Sequence, residues 1–184
     1  MWEGLYAPTA ATMEERSEKP GYAALRRFRE SRSGADYFIT ANLAERGGGL
    51  DAQALTQAVW QQWQQLESDG QWTVRTAVVM PDHIHLLVRL GGMASVAECM
   101  RLLKGRLTPA LRGAGLKWQE GYYEHQIRET EDLLPVFLLI YLNPYRAGLL
   151  PTDRTWPGYY CCPEDWKWFG ALTGESMPQP EWLR

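Results

Sequence analysis

The hydrophobic positions of this chain alternate at a spacing of two in some stretches and recur at helical spacing in others. Residues 37–43 are β-branched and aromatic, and they predict a strand. The runs 72–79 and 83–90 predict two more strands, which form a hairpin because only a short Pro-Asp connection separates them. An extended segment over 118–128 is expected to supply a fourth strand.

Three further stretches carry apolar residues at the spacing of an amphipathic helix. Asp51 stands at the N-cap position of the first helix, and Ser95 stands at that of the second. The third begins near Glu131, and we expect Asn143-Pro144 to distort its end because proline disfavours a helical residue before it.

The predicted element order is therefore β-α-β-β-α-β-α. Two β-α-β-like halves around an antiparallel sheet indicate an α+β fold, the ferredoxin-like sandwich, with one extra C-terminal helix. We divide the chain into an N-terminal arm over 1–32, a domain over 33–150 and a C-terminal tail over 151–184 packed on that domain. The tail is rich in Trp and Pro and has little period, and we interpret its tryptophans as packing residues rather than as a base-stacking platform.

Composition narrows the function classes. A chain of 184 residues with 45% hydrophobic and 22% charged residues is typical of one globular domain. No apolar run is long enough to span a bilayer and no signal-peptide pattern opens the chain, so we expect no membrane association and a cytoplasmic location. The three cysteines have no metal-binding spacing.

The distribution of charge along the chain is more informative about binding partners than the net charge of −3. Residues 100–117 contain five Lys or Arg residues and no acid, and residues 25–32 hold a second basic patch. Such patches on an acidic chain fit a phosphate-binding face. A solvated helix face would give the same pattern, and this alternative stays open.

The predicted strand over 83–90 carries two of the three histidines, His83 and His85. Alternate residues of a strand point to the same face, so the two imidazoles are expected side by side. Such a pair suits a divalent metal that keeps open positions for a substrate oxygen. The alternative is a pair of strand histidines that are hydrogen-bonded to neighbours and bind no metal.

Five features, taken in chain order, resemble the insertion-sequence transposases that carry a His-hydrophobe-His pair and one catalytic tyrosine, and in particular their REP-associated branch. The resemblance covers roughly residues 33–150. The features are the strand after Ser33-Gly34-Ala35-Asp36, the string Met80–Leu87, the helical Leu103-Lys104-Gly105, Trp118 with Gly121-Tyr122 and Ile127-Arg128, and the string Asn143–Leu149.

This resemblance implies a nuclease domain that holds Mg²⁺ or Mn²⁺ through His83, His85 and the amide of Asn143. The implied substrate is single-stranded or hairpin DNA, which is nicked and transferred through a 5′-phosphotyrosine bond, so the protein is expected to associate with the nucleoid when bound. A homodimer is one option for its assembly. We predict that Arg101, Lys104, Arg106, Arg128 and Arg146 bind DNA, and for Arg128 and Arg146 an ion pair with a structural acid is the open alternative.

The chain departs from the branch pattern at the nucleophile. A tyrosine is expected four residues before Asn143, on the same helix face, and Leu139 stands there instead. Three readings remain open: the protein binds DNA without cutting it, Tyr141 takes the catalytic role, or Tyr122 or Tyr123 does. Residues two apart on a helix lie on opposite sides, so we predict that Tyr141 points away from the metal face into packing. A distant rival is an unrelated metal-dependent hydrolase on the same scaffold.

Overall fold

The computed structural model describes residues 31–173, which form five strands and four helices. In chain order they are β1 (Asp36–Asn42), α1 (Gln53–Ser68), β2 (Trp72–Val79), β3 (His83–Leu90), α2 (Val96–Gly113), β4 (Tyr123–Gln126), α3 (Leu134–Arg146), β5 (Tyr159–Cys161) and α4 (Pro163–Thr173). The expectations for 1–30 and 174–184 lie outside the described residues. None of the helices within 31–173 has the length and hydropathy of a bilayer-spanning segment.

The strands form one antiparallel sheet in the order β4-β1-β3-β2-β5. The first four strands with α1 and α2 reproduce the βαββαβ order of the ferredoxin-like sandwich, so the fold predicted from sequence is confirmed. The central strand β3 pairs with β1 on one side and β2 on the other.

Helices α1 and α2 cover one face of the sheet. The apolar residues of β3 that point to this face are Ile84, Leu86, Val88 and Leu90, all buried. They pack in one cluster with the apolar stripes of the two helices, which include Trp63 and Leu103. Alternation along β3 therefore sends the residues between them, His83 and His85, to the other face.

Helices α3 and α4 lie on that other face. Phe38 of β1 and Leu87 of β3 form a second buried cluster with Phe137 and Ile140 of α3 and Phe169 of α4. Full burial of such a side chain contributes about 1.5–3 kcal/mol. This packing places α3 on the same side of the sheet as the histidine pair.

Of the two helix N-caps predicted from the sequence, one is confirmed and one is wrong. Ser95 and Glu98 form a capping box at the start of α2, as expected for Ser95. Asp51 does not cap α1; Ala52 takes that position without a side-chain hydrogen bond, because a turn between Gly49 and Ala52 delays the helix by one residue. Helix α3 includes Asn143-Pro144 and continues to Arg146, and the distortion expected at this dipeptide stays a prediction.

The part of the C-terminal tail that the structure describes adds β5 to the sheet edge and α4 behind it, elements that its weak periodicity did not predict. Arg75 of β2 holds α4 in place, with Nη2 donating to Asp165 Oδ1 at 2.6 Å and Nη1 to Asp36 Oδ2 at 2.8 Å. Trp168 Nε1 also donates to Asp165. The described tail is thus an integral layer of the domain.

Candidate functional site

His83 and His85 lie side by side on the sheet face that α3 covers. Their ring centroids are 4.5 Å apart and the rings meet edge to face. The register pairs His83 with Asn42 and His85 with Thr40 of β1. The spacing of two along β3 therefore has the geometric result expected from the sequence.

A hydrogen bond fixes the orientation of each imidazole. Nδ1 of His83 lies 2.6 Å from Asp82 Oδ1, and Nδ1 of His85 lies 2.9 Å from Thr40 Oγ1. Phe38 stacks on the His85 ring at 5.3 Å between centroids. Because both Nδ1 atoms are engaged, Nε2 is the atom that each ring offers to a ligand.

The electrostatics favour neutral imidazole at His85. Burial, and secondly the neighbouring charge of His83, hold the pKa of His85 well below the ordinary histidine value. The pKa of Asp82 is lowered, first by its hydrogen bond with His83 and also by the nearby charge of Arg46. A neutral imidazole at His85 has a ring nitrogen lone pair available for a metal ion.

Sequence reasoning missed three neighbours of the pair. Asp82 could have been found, since it directly precedes His83 in the turn. Thr40 and Arg46 are distant in the chain, and only the pairing of β1 with β3 brings their segment to the histidines.

Helix α3 carries Asn143, the residue predicted as a third metal ligand. Asn143 is partly buried and lies one turn after Leu139, on the layer that packs against β2 and β3. Within residues 31–173 no group of three or more His, Cys, Asp or Glu side chains is arranged to hold a metal. A metal here would therefore depend on two imidazoles together with amide or substrate oxygens.

Tyr141 belongs to an aromatic cluster on the β5 side of α3. Its ring centroid lies 4.9 Å from that of Tyr159, 5.5 Å from Phe169 and 5.9 Å from Tyr145. Burial raises the pKa of its hydroxyl, which makes the phenol harder to ionise. These contacts agree with the packing role predicted for Tyr141, and Leu139 also packs against the apolar cluster of Phe137, Ile140 and Phe169. The position of Leu139 relative to the histidine pair stays a prediction from helical geometry.

The two tyrosines near β4 differ in orientation. Tyr123 pairs with Thr40, so it shares the sheet face of His85, and it contacts Phe38 at 6.3 Å between centroids. Tyr123 is 49% exposed. Tyr122 packs instead against the cluster on the opposite face. Of this pair only Tyr123 lies on the histidine side.

The predicted DNA-binding cations of α2 lie on the helix layer opposite the histidines. Lys104 Nζ donates to the carbonyl oxygens of Gln119 at 2.7 Å and Gly121 at 2.6 Å, and so holds the segment that enters β4. Arg106 lies 3.8 Å from Asp69, and Arg101 is exposed. Any DNA role of this helix would be separate from contacts at the histidine pair.

Two other cations belong to the histidine side of the sheet or its edge. Arg146 is exposed in the last turn of α3. Arg128 follows β4, with an 80% exposed side chain 3.8 Å from Glu131. The same Glu131 lies 2.8 Å from His125 Nε2, an ion-pair geometry that gives His125 a structural contact.

The protein has an α+β fold with a histidine pair on the sheet face that α3 covers. Comparison with known families identifies the class to which it belongs. Residues 34–131, more than half of the chain, match the family model of IS200-like transposases. The chain therefore belongs to the IS200-like transposase family. Proteins of this family are generally metal-dependent.

Within the family the chain is similar to REP-associated members, as its motifs implied. It is 31% identical over 130 residues to the REP-associated tyrosine transposase of Escherichia coli K12, covering 67% of this chain and 74% of the relative. It also matches the solved structure of a REP-associated tyrosine transposase bound to a REP hairpin, with a TM-score of 0.60 and 29% identity. That match covers 71% of this chain and 79% of the other.

Proposed function

We propose that this protein binds hairpin DNA, with a single-stranded segment lying at the histidine pair, and holds it without forming a phosphotyrosine bond. The hairpin is supported by the similarity to a transposase whose solved structure contains a REP hairpin. The observation that carries the second part is the position of the phenols around α3. Leu139 stands one turn before Asn143, while Tyr141 packs against Tyr159 and Phe169.

The residues present fit a divalent ion that is bound partly by the protein and partly by oxygens of the substrate, with no carboxylate ligand. Two imidazoles with both Nδ1 atoms engaged offer two Nε2 ligands on one face. We propose that Mg²⁺ or Mn²⁺ binds to His83 and His85, with the amide oxygen of Asn143 as a third protein ligand. When bound, the ion would neutralise charge on a phosphate of the DNA.

The chain's own residues would then orient the phosphate and exclude water from it. Phe38 and the buried His85 stack on each other beside His83, which is partly buried. Nucleophilic attack on phosphorus needs a hydroxyl or water placed in line, and a leucine side chain offers neither. The proposed result is a bound but uncut strand.

One experiment separates the two parts of this proposal. A fluorescent hairpin with a single-stranded flank is mixed with the protein and Mn²⁺, and the sample is divided between a native gel and a denaturing gel. We expect a shifted complex on the native gel and no labelled protein on the denaturing gel. Absence of the shift would overturn hairpin binding, and a denaturant-resistant band would overturn the non-cutting assignment.

A second candidate function is an active transposase whose nucleophile has moved to β4. The observation in its favour is the half-exposed Tyr123 on the face of His85. Its test is the denaturing gel with Tyr123→Phe, using Tyr122→Phe as the matched control because Tyr122 packs on the opposite face. Loss of a wild-type adduct in Tyr123→Phe alone would establish this function over the first.

Assembly and location follow from the proposed function. A DNA-holding role is compatible with a monomer or a homodimer, and sedimentation of the protein with and without the hairpin distinguishes them. Association with the nucleoid is proposed on the same ground, and a fluorescent fusion that spreads evenly through the cell would contradict it.

A further inference from the structure

The loop between β1 and α1, residues 43–50, is attached to the turn that precedes His83. The Leu43 N–H donates to Asp82 O at 2.7 Å, and the Leu50 N–H donates to Pro81 O at 2.9 Å. The loop is therefore held at both ends by two residues of the β2–β3 connection, Pro81 and Asp82. We call residues 43–50 the Arg46 loop, after the exposed arginine at its centre.

Two glycines allow this close approach. Gly48 and Gly49 have φ values of 79° and 109°, a region that other residues rarely adopt. A Cβ on Gly48 would lie 3.4 Å from Pro81 Cβ. The loop thus packs against the turn beside the histidine pair.

At this end of the sheet the negative charge of Asp82 opposes the binding of a phosphate, and the positive charge of Arg46 can offset it. Asp82 is hydrogen-bonded to His83 and its side chain is 32% exposed, so a phosphate arriving at the histidines would meet a negative charge. Arg46 is exposed in the loop whose backbone is hydrogen-bonded to Pro81 and Asp82, so it brings a positive charge to this end of the sheet. Glu45, which precedes Arg46, lies 3.7 Å from Lys117, and both side chains are exposed. The acidic residue of the loop is thus paired with a residue outside the loop.

We propose that Arg46 binds a backbone phosphate of single-stranded DNA adjacent to the phosphate held at His83 and His85. The inference rests on the proposed function, and it adds a contact that sequence motifs did not indicate. A guanidinium suits this role because its planar fork can donate two hydrogen bonds to one phosphate. Phosphate contacts of this kind fix the position of a strand without reading its bases.

The test measures binding of two fluorescent DNAs, one hairpin with a single-stranded flank and the same hairpin with blunt ends. The variants are Arg46→Gln, Arg46→Lys and the control Lys167→Gln, which removes one exposed charge from α4. We expect Arg46→Gln to weaken binding of the flanked hairpin about tenfold, or about 1.4 kcal/mol, and Arg46→Lys to weaken it less. The salt dependence should become shallower by about 0.7 in log–log slope, the value for one contact to a single strand.

A chemical version of the same experiment locates the contact. Neutral methylphosphonate linkages are placed one at a time along the flank, and each DNA is measured with the wild type and with Arg46→Gln. At one linkage the two losses should fail to add, because the substituted phosphate and the arginine remove the same interaction. Thermal unfolding of each variant checks that the loop substitution leaves the fold intact.

The outcomes distinguish the inference from the function on which it rests. If the wild type binds neither DNA, the proposed function fails. If the wild type binds but Arg46→Gln behaves like Lys167→Gln, weakens both DNAs equally, or shows additive losses at every linkage, hairpin binding stands and the Arg46 contact is refuted.

Discussion

Replacing Asp82 by asparagine tests whether the histidine pair is built for a metal. Asp82 Oδ1 lies 2.6 Å from His83 Nδ1, a distance typical of a charge-assisted hydrogen bond. Asparagine retains an oxygen of similar position but loses the negative charge that keeps the proton on Nδ1 and the lone pair on Nε2. Changes to such supporting carboxylates weaken metal affinity about 10–100-fold, or about 1.4–2.7 kcal/mol.

For Asp82→Asn we expect the loss of metal affinity to be at the lower end of this range. The Asp82 side chain is 32% exposed, so water screens part of the charge that the substitution removes. We therefore expect Mn²⁺ affinity to fall about tenfold, measured by calorimetry or by the spin-resonance signal of free Mn²⁺. Asp153→Asn, an exposed acid in a loop, is the matched control and should leave affinity unchanged. Equal Mn²⁺ affinity in the wild type and Asp82→Asn would refute the role assigned to the carboxylate.

Three further predictions concern the residues that support the site. Thr40→Val leaves the buried Nδ1 of His85 without its hydrogen-bond partner, and should cost about 1–3 kcal/mol in urea unfolding and weaken Mn²⁺ binding; unchanged values for both would contradict this. The lowered pKa of His85 means that the unfolded state binds the proton more readily, so stability is present above about pH 6.5 and falls as the pH drops below it. His85→Gln should reduce this pH dependence, and an identical profile would count against it. Arg75→Met leaves the buried Asp165 without its arginine, while Asp36 keeps Arg89, and should cost about 3 kcal/mol; a loss below about 1 kcal/mol would show that the ion pair is not needed.

Local periodicity was sufficient for most of the fold and for the shared face of the histidine pair. A spacing of two put His83 and His85 on one face, and the helical repeat predicted that Tyr141 packs in the interior, where it contacts Tyr159. These are properties of single elements, which neighbouring elements leave unchanged.

Features that depend on long-range pairing could not be predicted. The hydrogen bond between Thr40 and His85 joins residues 45 positions apart and depends on the register of β1 against β3. The contact between Arg75 and Asp165 spans 90 positions. It fixes α4, whose Trp-rich sequence has exposed aromatic residues on its outer side and hence little periodicity.

The placement of basic residues was the weakest part of the sequence-based picture. A run of cations without acids predicted a DNA-binding face on α2, but periodicity cannot tell which side of the sheet a helix covers. The fold puts α2 opposite the histidines and uses Lys104 to hold two backbone carbonyls. The roles of Arg101 and Arg106 in DNA binding stay predictions.

The central claim is that the site keeps its metal-binding and phosphate-binding residues and lacks only the nucleophile. The most direct measurement is covalent adduct formation with a labelled, flanked hairpin and Mn²⁺, comparing the wild type with Leu139→Tyr and with Leu139→Tyr combined with His83→Ala. We predict no adduct for the wild type, an adduct for Leu139→Tyr, and its loss when His83 is also replaced. A wild-type adduct abolished by Tyr141→Phe would contradict the account, and so would a Leu139→Tyr protein that binds both Mn²⁺ and the hairpin yet forms no adduct.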